Sequence, residues 1–196
     1  MSADPRSRAQ RRRDTEHRLA HDIDVWVASA SADGAPYLVP LSFDWDGEAL
    51  LAATPADSPT GRNLAATGAV RLGLGHTRDV SMIEGDVEVL EIDALPRERG
   101  DRFAARTGFD PRALATPYRW FRISPRRIQA WREVNELPDR ELMRDGLWSV
   151  DTSAGRSAWP GPRGSTGEAK ESRTYCCEAG QIEPGDADGG REGGPA

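Results

Sequence analysis

The run Leu38-Val-Pro-Leu-Ser-Phe-Asp-Trp-Asp-Gly-Glu-Ala-Leu-Leu-Ala-Ala-Thr54, followed by Asp57-Ser-Pro-Thr-Gly-Arg-Asn-Leu64, leaves this chain few folds to adopt. It reads as a strand, a tight turn at Asp46-Gly47, a second strand and then the start of a helix. Ser58 is a capping residue, and Pro59 suits the first helical position, where its missing N–H costs nothing. A hairpin that runs straight into a helix N-terminus puts unpaired N–H groups and the positive end of the helix dipole at one end of a sheet. Such an arrangement favours a bound anion.

The flanking sequence extends this pattern. Ile23, Val25, Val27 and Ser29 alternate with Asp24, Trp26, Ala28 and Ala30, which predicts a first strand. Ala32-Asp-Gly-Ala35 is a hairpin turn, and the second strand runs from Pro36 to Phe43. The third spans Glu48 to Thr54, and the helix opened by Ser58 ends near Gly68. Ala69 to Gly75 is a fourth strand, and Val80 to Ile92 is either one long strand or a hairpin about Gly85-Asp86. A second helix is predicted over Pro96 to Thr107. The last long strand joins Tyr118–Ile123 to Arg127–Trp131 across an interruption at Ser124-Pro125, because proline cannot join a central ladder. The fold expected is mainly β: a barrel of about six antiparallel strands with short connecting helices, over residues 18–148.

Outside that region the pattern changes. Residues 1–17 are polar and rich in arginine, interrupted by Asp4, Asp14 and Glu16, and read as a basic disordered arm turning helical towards Leu19. Residues 149–196 are crowded with Gly and Pro, a composition that cannot bury enough apolar area to offset its ordering entropy, and read as a disordered tail. A net charge of -6 argues against a nucleic-acid partner. The two cysteines, Cys176 and Cys177, are neighbours and cannot staple a fold, and no His or Cys spacing suits a metal. No apolar stretch approaches the roughly 18 residues of a membrane helix, so no membrane partner and a cytoplasmic location are expected.

The chemistry-bearing residues gather at the predicted helix start. Thr54, Ser58 and Thr60 offer hydroxyls, Arg62 a guanidinium and Asn63 an amide, a set able to hold a phosphate monoester. The plainer account is that Ser58 only caps the helix and Arg62 lies in solvent. Arg78 and Asp79, in the turn after the fourth strand, form either an exposed ion pair or an anion contact. Trp120, Phe121 and Trp131 read as core or interface aromatics, and Glu133, Glu136 and Glu141 as a solvated or intersubunit salt-bridge face. No Ser-His-Asp or Cys-His set can be assembled, so no catalytic side chain is assigned.

Over roughly residues 20–148 the order of elements resembles the flavin-binding split β-barrel family related to pyridoxamine 5′-phosphate oxidase. In that family a Ser-Arg-Lys-x-x-x-Leu segment after the third strand binds the flavin phosphate. Here it reads Ser58-Pro-Thr-Gly-Arg-Asn-Leu64: serine and leucine match, while Pro59-Thr60 replace the basic pair. The resemblance implies that Val39, Pro40 and Leu41 run beside the isoalloxazine ring; Thr54, Ser58, Thr60, Arg62 and Asn63 are then expected at the phosphate end, with Arg78 facing the cofactor phosphate or an acid of the substrate. It implies FMN or the deazaflavin coenzyme F-420 as cofactor, hydride transfer with a small-molecule substrate, and a homodimer. The oxidase's own substrate-reading Arg-Leu-His signature is missing, which argues against pyridoxamine phosphate as substrate. The alternative is a non-catalytic module that binds a flavin or haem, or serves as a dimeric interaction surface.

Overall fold

A computed structural model describes residues 4–149. Its centre is a closed barrel of six antiparallel strands: β1 (Asp24–Ala30), β2 (Pro36–Trp45), β3 (Leu50–Pro55), β4 (Ala69–His76), β5 (Asp79–Glu91) and β6 (Tyr118–Trp131). The strands follow the order β3-β2-β1-β4-β5-β6, and β3 pairs with β6 to close the ring. β6 is long enough to serve two neighbours along one edge. Its first half takes β3, and Ile128 and Gln129 take the short β7 (Glu141–Arg144), itself paired with β8 (Leu147–Trp148). The mainly β barrel expected from the alternation is thus the observed fold.

Two places where the sequence was ambiguous are decided by packing. Gly85 does not turn the chain; β5 continues through it, and a Cβ there would lie 2.7 Å from Ile123 Cγ2. Opposite it, Glu84 faces Arg127 while Gly85 faces Pro125, so Arg126 is the extra residue of a bulge. The bulge lets Pro125 sit inside a continuous β6, because its missing N–H falls where the ladder is already broken.

The barrel interior holds Val25, Val27, Phe43, Leu50, Leu72, Ile83, Phe121, Ile123 and Ile128, all buried. Helices close its two ends. α2 (Pro59–Thr67) caps the end reached by the C-terminus of β1 and contributes Leu64, with Gly68 left-handed at its close (φ 63°). α1 (Arg8–His21) caps the opposite end with Leu19. A second apolar cluster lies outside β3 and β6 beneath α3 (Arg97–Thr107). There Phe103 meets Trp120 edge-on at 5.0 Å, and Trp120 Nε1 donates to the Ile92 carbonyl at 3.0 Å. Trp120 and Phe121 are therefore core residues.

Helix α1 corrects the reading of residues 1–17 as a disordered arm. Ser7 caps it by accepting from the Gln10 N–H, and its inward face is Arg11, Thr15 and Leu19, spaced four and four. Only Leu19 is apolar, so no hydrophobic period announces the helix. The two polar members both form hydrogen bonds across the interface. Thr15 shares a 2.8 Å hydrogen bond with Ser81 Oγ, and Arg11 donates to the carbonyls of Ala130 and Glu136. The tail expectation for residues 149–196 lies, beyond Ser149, outside the described residues. Among the described residues no helix is long and apolar enough to cross a membrane.

Candidate functional site

β2 has one partner too few. Along Pro36–Ser42 it pairs with β1 only, since pairing with β3 is confined to Phe43–Trp45 against Leu50–Ala52. Continuing that register would set Thr54 opposite Leu41 and Pro55 opposite Pro40, but the strands have separated by then, and β3 instead follows β6. A gap therefore opens between β2 and β3, with the start of α2 at its end.

The hydrogen-bond parity of the edge follows from one contact. Phe43 N–H donates to the Ile23 carbonyl at 2.8 Å, so the odd residues of β2 bond to β1 and the even ones point into the gap. Val39 and Leu41 thus spend their backbone groups on β1 and pack their side chains against the barrel core. Of the three ring-contact residues expected from the sequence, only Pro40 turns its backbone towards the gap. Leu38, which sequence reasoning left out, offers an N–H and a carbonyl there. The signal for it is the alternation Pro36-x-x-x-Pro40: proline fits edge positions whose N–H has no ladder partner.

At the end of the gap the predicted hydroxyl cluster is assembled. Thr54 Oγ1 and Ser58 Oγ lie 3.1 Å apart, and Ser58 Oγ accepts from the Gly61 N–H at 2.9 Å. Two hydroxyls carry two protons and their mutual bond uses one, so the other is available to an acceptor. Thr60 is buried, and its hydroxyl has no hydrogen-bond partner among the described residues. The remaining predicted members contribute less. Asn63 points inward, donating to Ser29 Oγ at 3.2 Å, and Arg62 is exposed and folded back onto the Asp57 carbonyl.

Arg78 does not belong to this cluster. β4 leads from the end of α2 to the turn that carries Arg78, and the steps between its eight residues, at about 3.3 Å each, carry it roughly 23 Å away. Nor does it pair with Asp79, whose carboxylate meets Arg6 at 2.9 Å and Arg18 at 2.7 Å.

A depression of about 590 Å³ lies on the outer face of β1, β2 and β4 beside the end of α1. Trp26, 51% exposed, forms its floor between Pro40 and Gly73, its cross-strand neighbours. His17 and His76 line its walls, and His17 stacks on His21 at 4.1 Å. Sequence reasoning misses this concavity because α1, which supplies His17 and Arg18 to its rim, carries no hydrophobic period. No group of three or more metal-ligating side chains forms among the described residues.

α1 is held by Glu136, which sequence reasoning places on a solvated or intersubunit salt-bridge face. Its carboxylate is buried and accepts from Arg6 N, Nε and Nη2 at 2.8–3.0 Å and from the Arg132 N–H at 2.7 Å. Burial opposes its charge, but the Arg6 side chain and the two backbone N–H groups outweigh it and bring its pKa down to about 2.

The family model described as pyridoxamine 5′-phosphate oxidase matches residues 17–132, more than half of the chain. Solved structures are similar at low identity. The protein Atu2129 from Agrobacterium tumefaciens, of unknown function, superposes with a TM-score of 0.50 at 16% identity, over 63% of this chain and 56% of that one. An F-420 reductase matches at 0.48 and 21%, over 58% and 94%. HutZ, the heme storage protein from Vibrio cholerae, matches at 0.47 and 15%, over 58% and 88%. These are likenesses of fold. A search of curated proteins finds no significant match.

Proposed function

This chain belongs to the pyridoxamine 5′-phosphate oxidase family, and from that premise we propose that it binds FMN or the deazaflavin coenzyme F-420 in the gap between β2 and β3. The observation that carries the reading is the open edge of β2, which ends at the hydroxyl cluster of α2. In this reading the Leu38 N–H and the carbonyls of Leu38 and Pro40 hold the edge of the ring. Thr54, Ser58 and Thr60 hold the phosphate end.

The bound cofactor supplies the hydride chemistry, so no catalytic side chain is required of the chain. Its own residues bind, orient and exclude water. The depression over Trp26 and Pro40 has the size of a small-molecule site and is the place proposed for the organic substrate. β2 carries no Lys or Arg along Pro36-Tyr-Leu-Val-Pro-Leu41, which suits a neutral substrate better than a phosphorylated one. Trp26 and Leu38, 51% and 59% exposed, form an apolar outer face that supports a homodimer.

The test is a tryptophan-quenching titration of the purified chain with FMN and with F-420, run beside sedimentation to read its assembly. Saturable one-to-one binding of either ligand is the expected result; absence of binding by both at millimolar concentration would sink the reading. The Pro59-Thr60 replacement favours a second reading, a barrel that holds a flavin without turning it over. A bound flavin that neither a nicotinamide donor nor a coupled dehydrogenase reduces would select it.

A further inference from the structure

We propose that Arg119 supplies the cation for the cofactor phosphate that Pro59-Thr60 no longer provide; this rests on the flavin reading above. The argument begins with register. Thr54 and Arg119 are direct partners across β3 and β6. Directly opposed residues share a face, with Cβ atoms about 4.5–5.5 Å apart. That face is the one carrying Leu50, Phe121 and Ile123, so Arg119 emerges at the same barrel end as Thr54 and α2. The loop that leads into α2 is tied to the same stretch of chain, since Ala56 N–H donates to the Pro117 carbonyl at 2.9 Å.

Arg119 is also free to move. Its guanidinium meets Glu91 at 3.0 Å on the opposite edge, but both partners are open to solvent, 38% and 66% exposed. Exposed pairs of this kind hold their members weakly. A phosphate beside Thr54 and Ser58 would offer a doubly charged, bidentate partner in place of one solvated carboxylate. Rotation of the side chain from the β5 edge to the β3 edge then completes a site of the Thr54 and Ser58 hydroxyls, the Thr60 hydroxyl, which has no hydrogen-bond partner among the described residues, and one guanidinium. Arg62 cannot fill the role as it stands, since its guanidinium already closes on the Asp57 carbonyl at the helix exterior.

The test compares FMN with riboflavin, which shares the ring and lacks the phosphate, on the full-length chain, Arg119→Gln, Arg119→Lys and Glu91→Gln. Arg119→Gln is expected to weaken FMN about tenfold, the loss of one charge-assisted contact, and to leave riboflavin within about twofold. Arg119→Lys should recover part of the FMN affinity. Glu91→Gln, which releases the guanidinium, should tighten FMN and leave riboflavin unchanged. Equal weakening of both ligands by Arg119→Gln would make Arg119 merely structural and overturn the proposal, as would unchanged FMN binding. A wild-type chain that binds neither ligand overturns the flavin reading itself, and with it this assignment. One that binds both, indifferent to Arg119, overturns the assignment alone.

Discussion

Glu136→Gln should unlatch α1 while sparing the barrel. The carboxylate is fully buried and receives three hydrogen bonds from Arg6 and one from the Arg132 N–H. Glutamine keeps the shape, but it removes the charge and turns one acceptor into a donor facing donors. Its folded-state pKa of about 2 lies roughly 2.5 below the ordinary 4.5. At about 1.4 kcal/mol per unit that corresponds to about 3 kcal/mol of stability, at the lower end of the 3–5 kcal/mol typical when a buried ion pair loses one partner. Because the folded pKa lies below the unfolded one, this stability is fully present above about pH 4.5 and is lost as the pH falls towards 2. Urea denaturation of the two proteins at a series of pH values from 7 to 3 measures it. The wild type should lead by about 3 kcal/mol at pH 7, and the lead should shrink steadily below pH 4.5. Hydrogen exchange should show faster opening of α1 in the variant, with the β5 and β6 amides still protected. A lead under about 1 kcal/mol, or one that does not depend on pH, would refute the assignment of Glu136 as the latch.

Two further substitutions test the gap itself. Leu38→Pro deletes an N–H that the β1 ladder does not use, in a strand that already carries proline at the equivalent positions 36 and 40. It should leave the urea midpoint nearly unchanged and weaken FMN about fivefold, one neutral hydrogen bond being worth about 1 kcal/mol; a large loss of stability would mean that Leu38 bonds within the sheet. Gly61→Ala places a Cβ against the Pro55 carbonyl oxygen and 3.0 Å from that of Ala56, both backbone atoms with little room to yield. Overpacking of this sort costs about 1–3 kcal/mol, more than the gain of up to about 1 kcal/mol in helix propensity. A variant that melts no lower than the wild type would show the Pro55–Ser58 turn to be slack.

Much of the barrel was legible because its strands are half-buried, and half-burial imposes a period of two. β1, β2 and β4 begin and end within two residues of the alternation, and α2 runs between Ser58 and Gly68 as its capping residues require. Where burial and polarity part company, local patterns mislead. α1 buries an arginine and a threonine, and only the carbonyls of Ala130 and Glu136 and the Ser81 hydroxyl, more than 60 residues away in sequence, make that burial tolerable. Glu136 sits in a charged stretch that looks solvated until Arg6 arrives from the other end of the chain.

The candidate site divides in the same way. Thr54, Ser58 and Thr60 could be grouped from sequence because they lie within a few residues of one another, and the bonds formed there, Thr54 with Ser58 and Ser58 with Gly61, are those of a turn and a cap. Arg119 and Leu38 could not. The first depends on the strand pairing that closes the barrel, the second on which edge of β2 was left open. Periodicity and capping are properties of neighbours, so the amino-acid order alone determined the strands, the helix start and the family they resemble. Which backbone groups stay unpaired, and which charge stands beside the hydroxyls, are properties of register between distant segments, and only the tertiary structure decided them.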